Sequence, residues 1–148
     1  MYKKILVAID DSETSRCALA EATLMAQSSC AKLYIAHVAD ETLMGMHNRT
    51  FSTTLNLDHA IKAIAEAGQK LVDDAVAATS SVSAEGILLE ARNRRVSETL
   101  VEKAEALGVD LIVIGRHGQR GLAKLILGSV AEQVTKMTST SVLLVRKH

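Results

Sequence analysis

Five short runs dominated by Ile, Leu and Val recur along the chain, at Ile5 to Ile9, Leu33 to Val38, Gly86 to Leu89, Leu111 to Ile114 and Val142 to Val145. Each is too short for a helix of ordinary length and reads as a strand buried on both faces, as in a parallel sheet. Helical patterns separate them. In the clearest, Leu57, Ile61, Ile64, Gly68, Leu71 and Ala75 recur at alternating steps of four and three, which places them on one face of an amphipathic helix. A first helix is expected after Ser12, a suitable N-cap, with Glu13 in the first turn where the helix dipole favours an acid. A third spans Val96 to Leu107, with Leu100, Val101, Ala104 and Leu107 on one side and Gly108 as its stop. The fourth starts at Ser129, where Ser129-Val130-Ala131-Glu132 has the form of a capping box. Strands alternating with helices specify one open, doubly wound α/β domain over residues 1–148, with right-handed crossovers that pack helices on both faces of the sheet. The least regular stretch, Ala39 to Asn56, reads as a mobile connection beside the site.

Composition narrows the function classes. With 148 residues, 48% of them apolar, the chain is large enough to bury a core without disulfides or metal. Seventeen basic residues balance seventeen acidic ones, which argues against a nucleic-acid or anionic-membrane partner. Three aromatics, Tyr2, Tyr34 and Phe51, are too few for a base-stacking platform. The first apolar run ends at Asp10 after five residues, so neither a signal-peptide core nor a membrane span is expected there, and the cytoplasm is the expected location. Cys17 and Cys30 fit no metal or redox spacing and read as small buried hydrophobes. His47 and His59 have no partner at zinc-ligand spacing, and His37, inside a strand, reads as a satisfied core histidine.

In an open α/β sheet, ligands bind beyond the carboxyl ends of the strands, where the strand order reverses. The informative residues are therefore those that follow the strands: Asp10-Asp11-Ser12 after the first, Val38-Ala39-Asp40-Glu41 after the second, and Gly115-Arg116-His117-Gly118-Gln119-Arg120-Gly121 after the fourth. The last leads through Lys124 to Gly128-Ser129 and a helix start. Backbone N–H groups opened by glycine, next to a helix N-terminus, form an anion site suited to phosphate. Neither G-x-x-x-x-G-K-[ST] nor G-x-G-x-x-G occurs at the required place, which disfavours a P-loop ATPase and a dinucleotide dehydrogenase.

What does occur is Gly115-x2-Gly118-x9-Gly128-Ser129. With the opening Lys-Ile-Leu-Val-Ala-Ile-Asp, the run Ile35-Ala36-His37-Val38, the segment Asp110 to Gly115 and the closing Ser141 to Val145, the chain resembles the universal stress protein family over its whole length, in its G-x2-G-x9-G-[ST] nucleotide-binding branch. The resemblance implies a five-stranded parallel sheet in order 3-2-1-4-5. It implies ATP, or ADP or AMP, with its phosphates over Gly118, Gly128, Ser129 and Val130, beside Gly115, Arg116 and His117. Adenine would meet Ala8 and the backbone of Val38, and Asp10 would reach the ribose or a bound Mg2+ or Mn2+. Asp11 departs from the small or apolar residue frequent in the family and adds a carboxylate near the ligand. The function so implied is that of a nucleotide-binding stress-response regulator with an unidentified protein partner; a slow ATP hydrolase and an interaction module without nucleotide are the alternatives. No residue set marks a dedicated catalytic base. The apolar, Pro-free run Val142 to Val145 is an open sheet edge, through which the family commonly dimerises, so a homodimer is expected.

Overall fold

Successive side chains of a strand point to opposite faces, so a strand rich in branched apolar residues throughout needs cover on both sides. The chain meets that need. The computed structural model describes residues 1–41, 54–117 and 127–147. In chain order the elements are β1 (Lys4–Ala8), α1 (Glu13–Ser29), β2 (Lys32–Ala39), α2 (Thr54–Ala78), β3 (Ala84–Glu90), α3 (Val96–Leu107), β4 (Leu111–Gly115), α4 (Ser129–Met137) and β5 (Ser141–Val145). All pairings are parallel, in the order β3-β2-β1-β4-β5, with Val7 opposite Ile35 on one side and Val113 on the other.

One core lies between the sheet and α1 and α2, with Ile5, Val7, Leu33, Ile35 and Val113 facing Ala18, Ala22 and Val72. The second lies on the opposite face, where Leu6, Ala36, Val38 and Ile112 meet Leu100 and Ala104 of α3 and Val134 of α4. Ile5, Leu6, Val7, Leu33, Ile35, Ile112 and Val113 are fully enclosed. Each contributes about 1.5–3 kcal/mol of transfer free energy, which makes the three central strands the most stable part of the fold.

Two helix ends follow their local signals and one expected cap does not form. The Ser12 hydroxyl accepts the Ser15 N–H at 3.1 Å and starts α1. Gly108 ends α3 at φ 62°. The capping box expected at Ser129 is absent: Gly128 holds the extended cap position, its carbonyl accepts the Glu132 N–H at 2.9 Å, and Ser129 is already helical. Glu132 instead takes a 2.7 Å hydrogen bond from Lys136.

Other expectations also need correction. The edge strands β3 and β5 are only partly buried, because among the described residues each has a strand neighbour on one side alone. Cys30 is exposed at φ 52°, where the chain leaves α1 through a left-handed residue, and Cys17 is half-buried against the core. Helix α2 begins at Thr54, three residues before the periodic pattern does. The connection expected to be mobile falls largely outside the described residues, as does His47.

Candidate functional site

The reversal of strand order between β1 and β4 sends α1 to one face of the sheet and α4 to the other, and the ends of the two strands open into a crevice between them. A cleft of about 940 Å³ lies there. Ala8, Asp10, Val38, Gly115, Arg116, His117, Gly128, Ser129 and Val130 all line it. Of the expected site residues only Gly118 is missing from that wall, because it lies outside the described residues, as do Arg120 and Lys124.

Two backbone hydrogen bonds set the geometry at the β4 end. Arg116 N–H donates to the Val145 carbonyl at 2.8 Å, and the Arg116 carbonyl accepts the Gly128 N–H, also at 2.8 Å. The second bond brings the two ends of the glycine-rich segment together and seats the start of α4 beside the end of β4. The N–H groups of Ser129, Val130 and Ala131 have no carbonyl one turn back within α4, so they point out of its N-terminus as donors. Gly128 supplies no side chain to cap them and, among the described residues, no other side chain does, so this end carries both the free donors and the dipole that suit an anion. Across the crevice, a Cβ added to Gly115 would lie 3.2 Å from the Thr14 carbonyl carbon, so the absence of a side chain lets the first turn of α1 close against β4.

The β1 end is equally ordered. Asp10 does not cap α1, a role taken by Ser12; its Oδ1 instead accepts the Ser12 N–H at 2.9 Å and shapes the turn into the helix. Asp11 is exposed, 4.0 Å from Arg16.

Some lining residues were not anticipated. Ala36 shares a sheet face with Val38, and with Val96 and Leu100 of α3 it makes an apolar wall. The face periodicity of β2 contains that signal. His37 sits half-buried on the opposite wall near Gly68, its Nδ1 bonded to the Ile9 carbonyl at 2.8 Å; it is satisfied, as expected, yet it lines the cleft. At the rim, a hydrogen bond to Asp74 at 2.6 Å raises the Lys70 pKa above its ordinary 10.5, so this cation has its own counter-charge. Among the described residues no group of three His, Cys, Asp or Glu side chains is arranged to hold a metal, and no helix is long and apolar enough to cross a membrane.

Comparison with known proteins places this geometry among relatives. Residues 1–146 match the sequence profile of the Universal stress protein family. Universal stress protein YxiE of Bacillus subtilis is 33% identical over 99% of this chain and 100% of its own length. Universal stress protein MJ0577 of Methanocaldococcus jannaschii is 31% identical over 99% of this chain and 96% of its own. The solved structure of MJ0577 superposes with a TM-score of 0.84, covering 100% of this chain and 98% of that one at 27% identity. A universal stress protein crystallised in complex with cAMP matches at a TM-score of 0.63 and 27% identity, covering 97% of this chain and 96% of its own.

Proposed function

This chain belongs to the universal stress protein family, and from that premise we propose that it is a stress-response regulator that binds an adenine nucleotide, ATP or its ADP or AMP forms, in the crevice between β1 and β4. One observation carries the reading: among the described residues the N-terminus of α4 has no side-chain cap, and its residues Gly128, Ser129 and Val130 line a cleft large enough for a nucleotide. The relative solved with cAMP supports the choice of an adenine ligand.

In this assignment the phosphates lie over Gly118, Gly128, Ser129 and Val130, with Gly115, Arg116 and His117 alongside. Main-chain N–H groups do most of the holding, which tolerates the neutral overall charge. Adenine lies against Ala8 and the backbone of Val38, on the aliphatic wall that Ala36 and Leu100 continue. Asp10 reaches the ribose. A Mg2+ or Mn2+ ion would be held chiefly by the phosphates, with Asp10 as a carboxylate in reach from the cleft wall, since magnesium in such sites takes few protein ligands. A homodimer through β5, an unidentified protein partner and a cytoplasmic location belong to the same proposal, as does the chain acting as one domain.

The test is thermal. A ligand that binds only the folded state at a hundredfold excess over Kd adds about 2.7 kcal/mol, which is ~5–10 °C in Tm for a chain of this size. ATP with magnesium should produce that rise, and Gly118→Val, which blocks backbone approach to the phosphates, should abolish it while leaving the unliganded Tm unchanged. No shift at millimolar ATP rejects the reading. Hydrolysis is the competing function: phosphate release at many turnovers per minute, lost in Asp10→Asn, would establish it instead.

A further inference from the structure

Just past β1, one peptide unit is gripped from both sides by side chains. Ile9 keeps sheet register, its N–H donating to the Ala36 carbonyl at 2.8 Å. The Ile9 carbonyl then accepts a hydrogen bond from His37 Nδ1 at 2.8 Å, and the N–H on the other side of the same peptide, that of Asp10, donates to Ser15 Oγ at 2.8 Å. Ser15 is itself buried, and its N–H donates to Ser12 Oγ at 3.1 Å while the Ser12 N–H reaches Asp10 Oδ1 at 2.9 Å. Since a carbonyl oxygen only accepts, His37 carries its hydrogen on Nδ1. The ring has little freedom to leave: a Cβ on Gly68 would lie 3.0 Å from its Cδ2, so the backbone of α2 closes over it.

We propose that His37 is a positioning residue for Asp10. With Ser15 it locks the plane of the Ile9–Asp10 peptide, and the locked plane, with the Ser12 N–H on Oδ1, fixes the direction in which the carboxylate enters the crevice. Among the described residues the second carboxylate oxygen takes no hydrogen bond, which leaves it to a ligand. From the face of β2 opposite Val38, His37 acts on Asp10 through the Ile9–Asp10 peptide just past β1. The inference rests on the nucleotide reading above for what Asp10 meets, but the clamp itself is a property of the free protein.

Two substitutions separate the hydrogen bond from the space the ring fills. Asparagine places an N–H close to the position of Nδ1; leucine fills volume without a donor. In the free protein, amide hydrogen exchange at Asp10 and Ser12 should accelerate about tenfold or more in His37→Leu, stay within about threefold of wild type in His37→Asn, and remain unchanged at Ile5 to Val7 in both. Should the leucine variant fail to fold, Ser15→Ala attacks the same peptide from its other end and should expose the Asp10 N–H in the same way. For ATP, Kd should weaken about tenfold in His37→Leu and little in His37→Asn, and His37→Leu should cost nothing further in an Asp10→Asn background, the non-additivity expected of residues acting as one unit. Unaltered exchange at Asp10 and Ser12 in His37→Leu and Ser15→Ala overturns the clamp. An equal loss of ATP affinity with and without the Asp10 carboxylate overturns its role in aiming Asp10. A wild-type chain that binds no ATP removes the nucleotide reading, and the exchange result still decides whether His37 holds the peptide.

Discussion

At the scale of single residues, glycine and cysteine carry meanings that depend on what lies across the fold. Gly86 opens the third apolar run and reads from sequence only as part of a strand. In the structure a Cβ there would fall 2.4 Å from Cγ1 of Val72, a side chain of α2 with no exposure and a branched, stiff Cβ. Replacing a strand glycine with alanine ordinarily gains roughly 0.5–1 kcal/mol, but overpacking a filled core costs roughly 1–3 kcal/mol. Steric crowding is the larger effect, so Gly86→Ala should lower the urea midpoint; a rise would mean that α2 can move away from β3. Cys30 presents the opposite case. It holds φ 52° at the end of α1, a conformation that costs an L-residue roughly 1–2 kcal/mol and glycine almost nothing. Allowing for glycine's greater freedom in the unfolded chain, Cys30→Gly should stabilise by ~0.5–1 kcal/mol in urea unfolding.

Elements show why part of the fold was legible. Helices α1 and α3 end alike: Cys30 and Gly108 are left-handed, and the N–H of the next residue, Ala31 or Val109, reaches back to Ala26 at 2.9 Å or Ala104 at 3.1 Å. The α3 terminus could be read from Gly108 because its signal is local. The α1 terminus could not, because Cys30 is an uncommon residue for the same geometry. A similar difference separates the two serines at helix starts. Ser12 caps as expected, whereas the Ser-x-x-Glu pattern at Ser129 falls one residue inside the helix, where Gly128 takes the cap position and its N–H bonds to the distant Arg116 carbonyl, a contact no local pattern encodes. That Asp10, Val38, Gly115 and Arg116 lie together at strand ends was legible from topology, while Ala8 and Val130 needed the family resemblance; the contacts of His37 with Ile9 and of Thr14 with Gly115 were legible from neither, since both depend on elements far apart in sequence meeting at one point.

The chain's end is tied to its first helix by a pair with a definite pH signature. The hydrogen bond from Lys147 Nζ to Glu13 Oε2, 2.8 Å long, holds the Glu13 carboxyl below its ordinary 4.5. A group whose folded pKa is lowered contributes stability above its unfolded value and loses it as pH falls through the folded one. The stability difference between wild type and Glu13→Gln should therefore be present at neutral pH, shrink once pH drops below 4.5, and diminish in about 1 M salt because the pair is exposed. An equal difference at pH 3 and pH 7 would rule out the ion pair as its source.

For the whole molecule, the two sheet edges decide how copies can meet. The Val145 carbonyl faces β4, where it accepts the Arg116 N–H at 2.8 Å. Backbone groups alternate sides along a strand, so Val142 and Leu144 turn their N–H groups to the open edge. That edge is the one proposed for the homodimer. Sedimentation at micromolar concentration should give a dimer, and Val142→Pro, which removes an outward donor at a position where an edge strand tolerates proline, should give a folded monomer. A wild-type monomer rejects pairing through β5.

The bond between Arg116 and Gly128 has a mechanical consequence. The residue that leaves β4 and the residue that caps α4 are fastened to each other, and Arg116 is fastened in turn to Val145 of β5, so the start of α4 is referenced directly to the sheet. Displacing that helix end means breaking a hydrogen bond anchored at the ends of β4 and β5, and the cleft wall formed by Gly128, Ser129 and Val130 therefore moves with the sheet and not independently of it.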